Sequence, residues 1–262
     1  MTRVLSALLL APPFLYCVVT GGVWFLVLMT ALSLIGLKEY FDLLENAGRR
    51  SQRLLGYGWT AGSFLAAHVW GPEGLLAVVA LVPNLFILKY LSTPDIGEAL
   101  SESCHTFHGV LAYSVPLAFL VLLRNLAPSG LSHLVVLLVL VWVQDTAAYF
   151  WGLALGRHKL QPHLSPKKTW EGAILGLATA LLAVWAACSY WLVQPLSGRA
   201  LGLLVATAVS AQLGDLNESL LKRNVAAKDS GTLIPGHGGV LDRFDSFTFA
   251  APVMYYVVRT TF

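Results

Sequence analysis

Apolar runs long enough to cross a bilayer follow one another almost without interruption. No other feature of the 262-residue chain constrains its fold as strongly. A spanning helix needs about 20 mostly apolar residues, and it must satisfy its backbone polar groups internally. Runs that meet or approach this length lie at 4–20, 22–42, 53–71, 73–91, 107–124, 131–153, 170–194, 199–216 and 246–261. Only 12% of the residues are charged and 56% are hydrophobic, whereas a soluble domain carries about 25% charged residues. The expected fold class is therefore all-α, a polytopic membrane protein with about nine transmembrane helices. The short first and last runs carry that count least firmly.

Tight connections are expected at Gly21-Gly22, Gly71-Pro72 and Pro195-Leu196-Ser197-Gly198. The longest polar stretches, 43–53, 92–106, 156–169 and 217–245, leave no room for a soluble domain between spans. Pro12 and Pro13 interrupt the first apolar run, and no small-residue cleavage site follows it. It reads as a retained span and not a signal peptide. Cys17, Cys104 and Cys188 are widely separated and have no metal-ligand spacing, so they read as packing residues without a disulfide framework.

The basic residues set the orientation. With the N-terminus placed in the cytoplasm, only Arg124, Arg199 and Arg259 of the 17 Lys and Arg residues fall on the far side. Arg49, Arg50 and Arg53 read as a juxtamembrane anchor beside anionic headgroups.

Ionisable residues at the edges of apolar runs are costly to keep there, and so they are informative. Asp145 follows the run 134–143, and Asp215 ends the run 201–213. Either one alone could simply mark the end of a span. Beyond Asp215, helical spacing places Glu218, Ser219 and Lys222 on its face, while Leu216, Leu220 and Leu221 take the other. The segment continues through Lys228-Asp229-Ser230-Gly231 and Pro235-Gly236-His237-Gly238-Gly239 to Asp242-Arg243-Phe244-Asp245-Ser246.

These residue types suit phosphate and metal chemistry. A glycine loop that leads into a helix N-terminus offers backbone amides to an anion. Lys222, Arg223, Lys228 and Arg243 add positive charge, and Asp215, Asp229, Asp242 and Asp245 add hard oxygen ligands of the kind Mg²⁺ takes. Phosphoryl or nucleotidyl transfer needs charge neutralisation and in-line positioning more than a covalent nucleophile. His237 fits a hydrogen-bonding, phosphate-contacting or proton-transfer role equally well. A second polar loop carries Ser165-Pro166-Lys167-Lys168 directly before Thr169-Trp170-Glu171-Gly172, a helix start at which two lysines favour an anion.

The stretch 219–245, with Ser219, Lys222-Arg223, Lys228-Asp229, Gly231, Ile234-Pro235, His237-Gly238-Gly239, Asp242-Arg243 and Asp245, resembles the signature of phosphatidate cytidylyltransferases. Asp145, Ala148, Tyr149 and Gly152 resemble that family too, as does the run from Ser165 to Gly172. The resemblance covers roughly the last 120 residues, and the first 130 match only as apolar spans. It implies N-terminal transmembrane helices at 1–130. It also implies a catalytic transmembrane region at 131–262, with cytoplasmic loops 156–169 and 217–245.

The reaction it implies joins CTP and phosphatidic acid to give CDP-diacylglycerol and diphosphate with Mg²⁺, and it leaves open whether K⁺ takes part. It implies a homodimer in the lipid bilayer with its active site facing the cytoplasm, and no nucleic-acid partner. By the resemblance Asp215 and Asp242 are the metal ligands. Together with Lys222, Lys228, His237 and Arg243 they make up the catalytic set. Asp145, Ser165, Lys167, Lys168, Ser219, Arg223, Asp229, Gly236, Gly238, Gly239 and Asp245 form the expected substrate-binding set.

Rival readings remain at this level, among them a related cytidylyltransferase acting on an ether-linked archaeal-type lipid and an inactive homologue, although no motif position is lost. A transporter would use Asp145 and Asp215 as a cation path, but the charges concentrate at one face and in one loop. A CTP-dependent lipid kinase would share nucleotide and topology but release CDP in place of diphosphate. The catalytic motifs do not separate one lipid tail from another.

Overall fold

The computed structural model describes residues 2–92, 95–188, 198–231 and 238–261. They form α1 (Thr2–Thr20), α2 (Gly22–Asn46), α3 (Arg53–Leu81), α4 (Ile87–Ser92), α5 (Ile96–Gly109), α6 (Val115–Arg124) and α7 (Gly130–Leu155). A small hairpin follows, with β1 (Lys159–Gln161) antiparallel to β2 (Ser165–Thr169). The helices α8 (Trp170–Ala187), α9 (Gly198–Asn224) and α10 (Leu241–Thr261) complete the fold.

The all-α membrane architecture is as expected, but the count of nine spans is not reproduced. Six stretches among the described residues are long and apolar enough to cross a bilayer: Gly22–Asn46, Arg53–Phe86, Ile96–Arg124, Gly130–Leu155, Trp170–Ala187 and Ala200–Asn224. At the start of the chain only the shorter Leu9–Thr20 qualifies as an apolar helix. At the end, α10 carries Asp242, Arg243 and Asp245 in its first turns and Arg259 near its close, which lowers its hydropathy. The connection expected at 195–198 begins outside the described residues.

The turn expected at Gly71-Pro72 divides α3 into two limbs. Gly71 breaks it with φ 68° and ψ −153°, a conformation open to glycine and strained for other residues. Pro72 follows at the first position of the second limb, where its missing N–H costs nothing. The limbs fold back on each other: a Cβ at Gly62 would lie 3.9 Å from Val78, far closer than two residues so spaced on a straight helix. Gly21, between α1 and α2, adopts nearly the same geometry, with φ 66° and ψ −150°.

The polar stretch 92–106 is largely helical. Asp95 caps α5 by accepting the Glu98 N–H at 2.9 Å, and Glu98 adds a negative charge to the first turn. A π-turn at Val110–Ser114 joins α5 to α6, so the spanning element begins well before residue 107.

Packing among α2, α3 and α6 buries Phe25, Leu37, Phe41, Trp59, Phe64 and Leu123. Polar anchors gather at the two ends of the bundle. At one end the Arg124 guanidinium donates to the Val18 and Val19 carbonyls at 2.8 and 2.7 Å, closing the C-terminus of α1. At the other, Arg53 pairs with Asp42 at 2.6 Å, Arg50 with Glu98 at 2.5 Å, and Arg49 with the Asn224 side chain. This second end holds the hairpin, the end of α9 and the start of α10.

Candidate active site

The site grows from the contact between α9 and α10. At Gly214 the helices approach so closely that a Cβ would overlap the Asp245 carbonyl oxygen. A glycine there lets Asp215 and Asp245 sit side by side. The polar stripe read from the sequence turns toward α10. Lys222 bridges it by donating to Glu218 and to Asp242, each at 2.8 Å. These side chains are nearly enclosed, at 15% exposure for Lys222, 9% for Asp242 and 1% for Glu218.

The hairpin adds the second lysine. Successive residues of a strand point to opposite faces. Lys168 turns inward to form an ion pair with Asp215, while Lys167 is exposed. Thr169 ends the strand and caps α8, accepting the Gly172 N–H at 3.2 Å. Glu171 holds the base of the hairpin through the His158 ring nitrogen at 2.6 Å and the Arg157 N–H at 3.1 Å. Arg223 donates to the Leu164 carbonyl at 3.2 Å and fastens the hairpin tip to the end of α9.

Asp145, on α7, stands within electrostatic reach of Asp215, Asp245 and Lys168. Asp245 in turn feels Asp215, Glu218 and Lys222. Five carboxyl groups thus crowd around two lysines.

The loop before α10 is bound by the protein's own carboxylates. Asp242 Oδ2 accepts the Ser230 N–H at 3.0 Å and the Gly239 N–H at 2.9 Å. Glu39, from α2, accepts the Val240 N–H at 3.0 Å, the Leu241 N–H at 2.9 Å and the Ser230 hydroxyl at 3.3 Å. The amides of residues 239–241, which the sequence offers to a substrate anion, are therefore already taken. Gly238 lies at φ 84°, and a Cβ there would meet Asp242 Oδ2 at 2.7 Å.

The structure thus gathers Asp145, Lys168, Asp215, Lys222, Gly238, Gly239, Asp242 and Asp245 from the expected set. Ser219 is half-buried on the same stripe, and Ser165 starts β2. Lys228, Asp229 and Arg243 lie exposed around the rim. Gly236 and His237 fall outside the described residues. Sequence reasoning missed Glu39, and it named Glu218 on the stripe and Ser230 in the motif without giving either a part in the site.

A cavity of about 290 Å³, lined by Tyr40, Arg49, His105, His108, Asn217 and Asn224 among others, opens near this end. Asn217 and Asn224 sit across α9 from Asp215 and Lys222 by helical angle. The cavity therefore opens on the side of α9 away from Asp215 and Lys222.

A sequence model of the cytidylyltransferase family matches residues 1–261. The chain belongs to the cytidylyltransferase family. Its relatives include proteins named phosphatidate cytidylyltransferase. One from Brucella suis biovar 1 (strain 1330) is 36% identical over 97% of this chain and 91% of the relative. Another from Bacillus subtilis (strain 168) is 33% identical over 98% and 96%. A third from Staphylococcus aureus (strain COL) is 31% identical over 96% of each. The family match takes in the N-terminal spans as well as the charged segment. In this cytidylyltransferase, then, Glu39 on α2 belongs to the matched region as fully as Asp242 does.

The carboxylates suit a hard divalent cation, which binds few protein groups and keeps several waters. Among the described residues no group of three or more His, Cys, Asp or Glu is arranged to hold a metal by itself. Two observations favour a cation all the same. Carboxyl groups outnumber lysines, and Glu218 Oε1 is buried with no N–H or hydroxyl donor facing it. The residue types present would suit a hard divalent cation that takes further oxygen ligands from phosphates.

Proposed function

We propose that the protein transfers the cytidylyl group of CTP to phosphatidic acid, giving CDP-diacylglycerol and diphosphate, with Mg²⁺ held by Asp215 and Asp242. The observation that carries this reading is the pair of lysine–carboxylate bridges, Lys168–Asp215 and Lys222–Asp242, set two turns apart on one face of α9. Lys168, Lys222 and Asp242 lie in segments that resemble the family signature, and Asp215 stands four residues before one of them. Each bridge holds a cation and an anion ready to exchange partners when a phosphate and a metal arrive.

In the reaction a phosphatidate oxygen forms a bond to the α-phosphorus of CTP, and the bond from that phosphorus to the β-phosphate oxygen breaks. The electron pair leaves with diphosphate. Lys168 and Lys222 neutralise phosphate charge once released from their carboxylates, and Lys228 and Arg243 extend that positive rim. A phosphate monoester is largely ionised near pH 7, so no strong general base is required of the chain. Mg²⁺ when bound supplies further charge neutralisation on the phosphates. Burial of Lys222 and Asp242 keeps their electrostatics strong by excluding water.

The cytoplasmic placement of the site rests on the distribution of Lys and Arg. A homodimer belongs to the same reading and rests on the resemblance. The test is an assay of purified protein with CTP and phosphatidic acid. Diphosphate release with cytidine label in the lipid supports cytidylyl transfer. CDP release with γ-phosphate in the lipid would mean a kinase. Near-normal Mg²⁺-dependent incorporation by Asp215→Ala or Asp242→Ala would overturn the metal assignment.

A further inference from the structure

We propose that Glu39 is a positioning residue of the reaction: from α2 it fixes the two sides of the loop that carries Asp242 and so sets the geometry of the Lys222–Asp242 bridge. This rests on the cytidylyl-transfer reading above.

Glu39 lies in an apolar helix at 7% exposure, where an acidic side chain is costly unless something requires it. What it binds is specific. Its donors are the N–H groups of Val240 and Leu241 and the hydroxyl of Ser230, from 191 to 202 residues away in sequence. Asp242 takes the N–H groups of Gly239 and Ser230. The two carboxylates therefore divide three successive amides, 239 to 241, and both grip Ser230. Any shift of Glu39 moves the peptide units that orient Asp242.

The loop is shaped to admit Glu39. A Cβ on Gly231 would lie 2.6 Å from Glu39 Oε1, and a Cβ on Gly239 would overlap Glu39 Oε2. Two glycines from opposite sides of the loop close on one carboxylate. Glu39 also stands at the N-terminus of α10, where a negative charge is favourable. The first turn of α10 is thus held from outside by Glu39 and from inside by Asp242. Residues that orient a ligand-bearing side chain typically change affinity or activity by about 10–100-fold when altered.

The test uses Glu39→Gln in the full-length protein in detergent, beside the parent and Phe64→Ala. Gln keeps the size but turns an NH₂ toward amides that need an acceptor. Phe64 is a fully buried side chain of α3 with no part in the site, so its truncation reports simple destabilisation. For Glu39→Gln we expect the KM for CTP and the half-maximal Mg²⁺ concentration to rise about tenfold. We also expect faster amide exchange over residues 238–242, with α2 and α3 unchanged. Phe64→Ala is expected to lower the melting temperature and leave the KM for CTP unchanged.

The proposal fails if Glu39→Gln keeps the parent's KM, kcat and Mg²⁺ dependence per folded molecule. It fails equally if activity falls only in proportion to folded protein. If Glu39→Gln does not fold, Ser230→Ala decides. A rise of about threefold in KM for CTP, the scale of losing one typical intramolecular hydrogen bond, supports the proposal, and an unchanged KM overturns it. A parent protein that releases no diphosphate from CTP and phosphatidic acid would instead sink the cytidylyl-transfer reading itself.

Discussion

Lys168, the inward residue of a two-stranded hairpin, is ion-paired with Asp215, the acidic residue that begins the polar stripe of α9. Arg223 ties the hairpin tip to the end of α9, Glu171 ties its base to α8, and Gln212 of α9 donates to the Ala173 carbonyl of α8. The pair brings together two segments that the sequence presents as separate polar loops.

Replacing Lys168 by Met removes a preorganised charge from the site. We expect turnover to fall by about 10²–10³-fold, the scale seen when one stabilising contact to developing charge is lost. Lys167→Met, at the exposed neighbour, should cost much less. Initial rates of diphosphate release from the two variants check the contrast, and equal losses would contradict the inward placement of Lys168.

Asp242→Asn leaves Lys222 with an uncompensated charge in an enclosed setting and weakens the hold on Ser230 and Gly239. Removing one partner of a buried pair costs about 3–5 kcal/mol. The figure is an upper guide here, because Glu218 still faces Lys222. Denaturation in mild detergent should show the loss of stability, and activity should fall with it.

Gly214→Ala places a Cβ against the Asp245 carbonyl. Overpacking of this kind costs about 1–3 kcal/mol, and it pushes α9 from α10 where Asp215 and Asp245 lie. Stability and turnover should fall together, measured by melting and by CTP incorporation on the same preparation.

Gly71→Ala strains a turn at the opposite end of the bundle. A non-glycine residue in that backbone conformation costs about 1–3 kcal/mol. The melting temperature should drop while the KM for CTP stays at the parent's value. A changed KM would show that the α3 hairpin communicates with the site.

Much of this fold is legible in the sequence because membrane helices announce themselves locally. Gly21-Gly22 and Gly71-Pro72 mark real turns, since only glycine takes the backbone angles found there. Asp215 and Asp242 are recognisable as acids at the edge of apolar runs and in a motif. The reading of 92–106 as a polar connection overlooked Asp95 and Glu98, spaced as a cap and its first-turn partner. Glu39 escaped for a different reason. Lys38 and Asp42 beside it form an ordinary i,i+4 pair, so the neighbourhood resembles the end of a span. Its true partners are some 200 positions away. The signal available was a carboxylate inside run 22–42 with no basic residue spaced to pair with it on the apolar face. Glu218 shared the stripe with Asp215, but nothing local distinguished a buried acid from a solvated one.

That long separation also orders events during synthesis. Glu39 enters the membrane with the second helix, while its amide donors emerge from the ribosome only after α9 is complete. Until then the nascent chain carries an acidic side chain without its eventual partners.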